Sequence, residues 1–241
     1  PGHRRYQEPQ KYRAYVIGVD VASGSEHGDF SAYCVIDCTD RMKPQIVATR
    51  YSKDSPSAFS QLLLKEAEDY NALVCVESNS YGLSVIEYLI QAEYVHMYRR
   101  VKYDRATKRY TENLGFSTNK ATRHVLLSRI QEYVSRDWLK IIDSTLQSEI
   151  NTFVFSKTGK PQAETGRHDD MIFAAALALI AMDQVDPDQE IKERQAPTTV
   201  GEMLAFELQT GKLYSKSENL FETDSRLEKP MSGAPMGIVP R

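Results

Sequence analysis

The chain has 241 residues, with 30 Lys and Arg against 33 Asp and Glu and a formal net charge of -3 at pH 7. That balance excludes a globally basic nucleic-acid binder, so any phosphate contact must come from local clusters. Met171 to Met182 is the longest apolar run; it is too short to span a bilayer and reads as a buried helix, which argues against a membrane partner.

Residues 1–13 are polar and read as a linker or a remnant of a longer chain. Three strand-like runs follow, Tyr15–Ala22, Ser31–Cys38 and Gln45–Tyr51, separated by Gly24, Gly28 and Pro44, the pattern of an antiparallel meander. Ser55 and Pro56 supply the N-cap and first position of a helix, whose apolar spacing (Phe59, Leu62, Leu63, Ala67) lasts to Tyr70, with Asn71 as the stop. Ala72–Glu77 is a continuous apolar run closed by a carboxylate, hence a buried strand. A helix from Leu83 to Gln91 and a short strand from Tyr94 to Arg99 come next. The stretch 99–110 has no apolar period and reads as a basic loop. Helices are expected from a cap at Thr118 or Asn119 to about Arg136 and over 144–152, with a short strand-like pair at Ile141–Ile142 between them. A hairpin is expected over 153–163, and then the apolar helix. From Asp186 the apolar residues thin out, apart from one short helix around Met203–Leu208. The expected organisation is a linker (1–13), a folded domain (14–185) and a polar tail (186–241). The three cysteines, Cys34, Cys38 and Cys75, lie in strand-like runs. Cys34 and Cys38 share a strand face more than ~13 Å apart, too far for a disulfide, so all three read as reduced core residues suited to a cytosolic protein.

The element order β-β-β-α-β-α-β-α predicts an α/β fold of the RNase H-like type: a mixed central sheet, antiparallel in its first three strands and then parallel, with helices on both faces. Carboxylates stand at matching places in that plan. Asp20 lies inside the first apolar strand, Glu77 ends the fourth, and Asp169 and Asp170 open the last helix. Alone, each has an ordinary reading: an Arg partner for Asp20, a turn cap for Glu77, helix N-terminal acids for Asp169 and Asp170. Together they predict a site where hard oxygen ligands hold Mg²⁺ or Mn²⁺, and two such ions suit phosphodiester hydrolysis. His168 reads as a supporting hydrogen-bonding residue. Asp29 stays open between a surface acid and an extra ligand.

The candidate DNA contacts are the basic residues Arg99, Arg100, Lys102, Arg105, Lys108 and Arg109, interleaved with Tyr98, Tyr103 and Tyr110. Lys120 and Arg123 extend this patch, and Lys157 and Lys160 form a second one.

The motifs Ile17-Gly18-Val19-Asp20, Gly28-Asp29-Phe30-Ser31, Val76-Glu77-Ser78-Asn79 with Gly82, Gly115-Phe116-Ser117-Thr118-Asn119 and Gly159-Lys160-Pro161-Gln162-Ala163 leading to Gly166-Arg167-His168-Asp169-Asp170 carry a resemblance. Over residues 14–184 the chain resembles the C-terminal nuclease domain of the large terminase subunit of tailed bacteriophages. The resemblance implies an RNase H-like endonuclease that cuts concatemeric double-stranded viral DNA during packaging in the host cytoplasm. It implies a metal-binding triad of Asp20, Glu77 and one of Asp169 and Asp170, with Asp170 favoured. It also implies partners: a small terminase subunit, a portal or procapsid, and a packaging ATPase domain in the parent chain. No Gly-x-x-x-x-Gly-Lys-Ser/Thr loop occurs here, so that ATPase is not expected within this sequence. Ser78 stands where the family's turn usually has Asn. A Holliday-junction resolvase on the same fold and a non-catalytic RNase H-like adaptor are the alternatives.

Overall fold

A five-stranded mixed sheet in the order β1-β4-β3-β2-β5 runs through the computed structural model, which describes residues 2–25, 28–104, 108–155, 161–164, 166–187 and 199–210. Strands β2 (Tyr15–Asp20), β3 (Ser31–Asp37) and β4 (Gln45–Ser52) form the expected antiparallel meander. Strand β5 (Leu73–Val76) lies parallel beside β2, with Val19 opposite Val76. The continuous apolar runs of β2 and β3 are explained by burial of both sheet faces. On one face Ile17, Val19, Tyr33 and Val35 meet Phe59 and Leu63 of α1 (Pro56–Tyr70) and Val85 and Leu89 of α2 (Ser80–Gln91). On the other, Val16, Cys34 and Ile36 meet α3 (Lys120–Ser135) and α5 (Asp170–Ala181), beside α4 (Ser144–Asn151). The three cysteines are buried and free.

Local chemistry sets the helix ends. The Ser55 hydroxyl accepts the Ala58 N–H, Pro56 sits in the first turn, and Asn71 leaves the helix with φ 47°. The Asn119 side chain caps α3 by accepting from Ala121 and Thr122. Every residue of α5 is buried, because the helix lies against β2 and β3. Gly18 permits that closeness: a Cβ there would stand 2.0 Å from the Ala174 carbonyl oxygen. Among the described residues no helix is long and apolar enough to cross a membrane.

Four local expectations differ from the structure. Of the short strand expected over Tyr94–Arg99, residues 94–98 form no strand, Met97 making only an isolated bridge to Val74. Gly2–Arg5, expected within a linker, is an edge strand, β1, paired antiparallel with β4. Its side chains are anchored by charge rather than apolar contact: Arg5 meets Glu66 and Asp69, each at 2.8 Å. The basic stretch from Arg99, expected as a loop, is an antiparallel hairpin of β6 (Arg99–Asp104) and β7 (Arg109–Leu114). It showed no periodicity because almost all its described side chains are exposed, so neither face is required to be apolar. The pair Ile141–Ile142 forms no strand; only Lys140 makes an isolated bridge, to Gln45. The hairpin of β8 (Phe153–Phe155) and β9 (Pro161–Ala163) forms as expected.

The chain divides into two units, residues 1–195 and 196–241. In the second, α6 (Val200–Thr210) begins with a reciprocal cap: Thr199 Oγ1 accepts the Glu202 N–H and Glu202 Oε2 accepts the Thr199 N–H, both at 3.2 Å.

Candidate active site

Three elements converge on one acidic cleft. Asp20 ends β2, and the backbone ladder continues one step beyond the strands through the Glu77 N–H to the Val19 carbonyl, at 2.9 Å. Parallel pairing therefore places the Asp20 and Glu77 carboxyls side by side. Gly82 lets α2 start close behind them, since a Cβ there would stand 1.8 Å from the Glu77 carbonyl oxygen. The N-terminus of α5 brings Asp169 and Asp170. A cleft of about 440 Å³ is lined by Asp20, Asp29, Glu77, Asp169, Asp170 and one cation, Arg123.

The electrostatics are unfavourable for the acids alone. Burial, then the charge of Glu77, then the charges of Asp170 and Asp169, push the Asp20 carboxyl well above the usual carboxylate range. Burial and the neighbouring Asp29 push Asp170 up to about 7, against the Phe30 N–H, which donates to its Oδ2 at 3.3 Å. Glu77 and Asp170 are each only 7% exposed, so water screens neither well.

Asp169 and Asp170 have different partners. Asp170 turns inward, whereas Asp169 is paired with Arg123 at 2.9 Å. The Arg123 guanidinium also stacks over Phe173 at 4.2 Å, and its buried Nε finds no hydrogen-bond partner among the described residues. His168 Nδ1 lies 3.5 Å from Asp29 and 3.7 Å from Asp170, and Asp29 itself is 78% exposed at its side chain.

Of the expected DNA contacts, Arg99, Lys102, Lys108, Arg109 and Lys120 are exposed, and Arg100 is half-buried against Phe116. Arg105, Lys157 and Lys160 lie outside the described residues. The hairpin carrying the first group is rooted at the cleft: the Ser78 N–H donates to the Phe116 carbonyl at 2.9 Å and the Phe116 N–H to the Val76 carbonyl at 2.8 Å.

Two residues without any sequence signal adjoin the acids. Glu149 of α4 accepts the Ile172 N–H at 2.9 Å. Burial raises its carboxyl to about 8, against the Ile172 and Met171 N–H groups and with the charge of Asp170 adding to the rise. The Tyr51 hydroxyl is near enough to Glu149 and Asp170 to feel both charges, and burial first, then these acids, raise its pKa.

Among the described residues, no three His, Cys, Asp or Glu side chains already stand together as a ligand cluster. The donor set nevertheless fits a divalent cation. Asp20, Glu77 and Asp170 offer oxygen only, and among the described residues lining the cleft the cation is Arg123, which is bound to Asp169.

The sheet order and the acids facing one cleft define an RNase H-like domain. The chain belongs to the terminase RNase H-like domain family, whose model matches residues 17–182. Among solved structures it is similar to the large terminase nuclease of thermophilic phage G20c with bound magnesium: 18% identity, TM-score 0.59, covering 75% of this chain and 87% of that one. The zinc-bound form of the same protein matches at 18% identity and TM-score 0.54, covering 74% and 86%. No curated protein sequence matches the chain.

Proposed function

We propose that the chain is a divalent-metal-dependent nuclease that cuts double-stranded viral DNA concatemers during genome packaging. The observation that carries the reading is the half-buried Asp20 beside the buried Glu77, facing Asp170 in a terminase RNase H-like domain. Asp20, Glu77 and Asp170 would hold Mg²⁺ or Mn²⁺, as a pair of ions, and this metal supplies the charge that activates water and stabilises the leaving oxygen. The structures of the G20c nuclease with magnesium and with zinc support a divalent metal.

This chain's own residues bind and orient the DNA. Arg123 offers its positive charge to a backbone phosphate, with Asp169 holding the guanidinium until the phosphate arrives. Arg99, Arg100, Lys102, Lys108, Arg109 and Lys120 track the phosphates outside the cleft, and Arg105, Lys157 and Lys160 are further candidate contacts by their charge. Phosphate contacts position the duplex without reading its bases, so cleavage has little sequence preference. His168 and Asp29 flank Asp170 and keep its carboxylate turned inward. The nuclease unit corresponds to residues 14–185 together with the edge strand β1 that completes its sheet. The tail from 186 serves docking, and a small terminase subunit, a portal or procapsid and an ATPase domain are the partners, in the host cytoplasm.

The test is cleavage of linear, supercoiled and branched DNA with Mn²⁺, comparing the wild type with Asp20→Ala, Glu77→Ala and Asp170→Ala. Cleavage of linear duplex by the wild type alone is expected. Activity retained in the three variants overturns the site. Strong preference for the branched substrate points to a junction resolvase, and an inactive wild type to a binding adaptor.

A further inference from the structure

The N-terminus of α5 has an unusual arrangement. Asp169 is its N-cap residue, yet the Asp169 side chain makes no capping bond, because it is drawn to Arg123 at 2.9 Å. The first N–H groups of a helix have no partner within the helix, and leaving them buried without one is costly. Here the acceptor comes from another helix. Glu149 of α4, 5% exposed, takes the Ile172 N–H at 2.9 Å and also interacts with the Met171 N–H. Its other oxygen, Oε1, is buried with no hydrogen-bond partner among the described residues. Tyr51 of β4 is near enough to Glu149 and Asp170 for its hydroxyl to feel both charges. The Tyr51 ring is in turn stacked on Phe30 at 4.2 Å and 13°, and the Phe30 N–H holds Asp170 Oδ2. Asp170 is thus held through two routes, its own helix and the Phe30–Tyr51 stack, and Glu149 meets both.

We propose that Glu149, with Tyr51, is a positioning residue: it caps α5 from outside the helix and so sets where Asp170 presents its carboxylate to the metal. The role rests on the reading of Asp170 as a ligand given above. It explains how Asp169 can serve Arg123 without the helix end being left bare. Glu149 touches neither DNA nor the reacting atoms; it acts through Asp170. Residues that orient metal ligands typically change metal affinity by about 10–100-fold when lost.

The experiment is calorimetric titration of the full chain with Mn²⁺ in the absence of DNA, with melting temperature and DNA affinity in EDTA measured in parallel. Glu149→Gln keeps an acceptor for the Ile172 N–H and is expected to bind Mn²⁺ close to wild type. Glu149→Ala is expected to bind about tenfold more weakly while still binding DNA in EDTA. Tyr51→Phe, which keeps the ring and its stack on Phe30, is expected to weaken Mn²⁺ binding with little change in melting. Wild-type Mn²⁺ affinity in a folded Glu149→Ala overturns the proposal, and so does a Glu149→Gln as weak as the alanine variant. Should Glu149→Ala fail to fold, Tyr51→Phe decides: unchanged affinity overturns the coupling to Asp170. A wild type that takes up no Mn²⁺ overturns the metal reading itself, a result distinct from any ranking among variants.

Discussion

Adjacent acids can do different work, and Asp169 and Asp170 show how a one-residue step decides it. Asp170 is the first residue of α5 and points into the cleft, while Asp169, before the helix, meets Arg123. Asp170→Asn should therefore bring cleavage to background, whereas Asp169→Asn should cost only about tenfold by loosening Arg123, read as initial rates on linear DNA at saturating Mn²⁺. The sequence left these two unresolved because both sit at a helix start. It signalled Asp20 and Glu77 more clearly, since a carboxylate inside or at the end of an apolar strand lacks an easy alternative. Glu149 gave no signal, because Ser144–Asn151 reads as an ordinary short helix and only the arrival of α5 buries that carboxyl. Asp143 is a structural counterpart. It is 1% exposed, and burial pushes its carboxyl up, but the Leu146 N–H, the Tyr6 and Thr49 hydroxyls and Arg4 outweigh this and hold it below the usual range. A group whose folded pKa is lowered stabilises above its unfolded value, about 3.9, and that stability is lost as pH falls through the folded value. Asp143→Ala should cost about 2 kcal/mol at pH 7 in urea unfolding, with the gap from wild type narrowing below about pH 4.

At the scale of elements, the β6–β7 hairpin combines exposure with charge. Its described residues carry Arg99, Arg100, Lys102, Lys108 and Arg109, and its root is bonded to the strand edge beside Glu77. Tyr103 and Tyr110 face each other across it at 5.0 Å, a cross-strand pair that helps hold an otherwise marginal ribbon. Each phosphate contact steepens the salt dependence of duplex affinity by about 0.9 in log–log slope. Changing Lys102, Lys108 and Arg109 together to Gln should flatten that slope by roughly 2–3, measured by fluorescence anisotropy in EDTA over a salt series. A slope equal to wild type would remove the hairpin from the interface. The basic composition of this stretch was legible, but its strands were not: with both faces exposed, nothing imposes an alternation. The edge strand β1 was hidden for a related reason, since its hold on the fold comes from Arg5 with Glu66 and Asp69 rather than from apolar side chains.

For the whole molecule, the sheet order was legible because two-sided burial writes apolar runs into β2, β3 and β5, and that order brings carboxylates from distant parts of the chain to one cleft. Folding must therefore bury like charges together, with one guanidinium nearby already bound to Asp169. Such crowding should lower the stability of the metal-free protein. Asp20→Asn removes one of the crowded charges and supplies an amide that can donate to Glu77. The metal-free variant should consequently melt higher than the metal-free wild type; a gain of about 1 kcal/mol corresponds to about 2–4 °C for a chain of this size. Mn²⁺ should reverse the ranking. A ligand at one hundred times its dissociation constant adds about 2.7 kcal/mol to a folded state that binds it, so the wild type should gain several degrees and the variant little. Scanning calorimetry with and without Mn²⁺ reads both effects on the same two proteins. A metal-free variant that melts below wild type would mean that Asp20 is held by a favourable partner, and the crowded-charge account of the cleft would fall even if the variant were inactive.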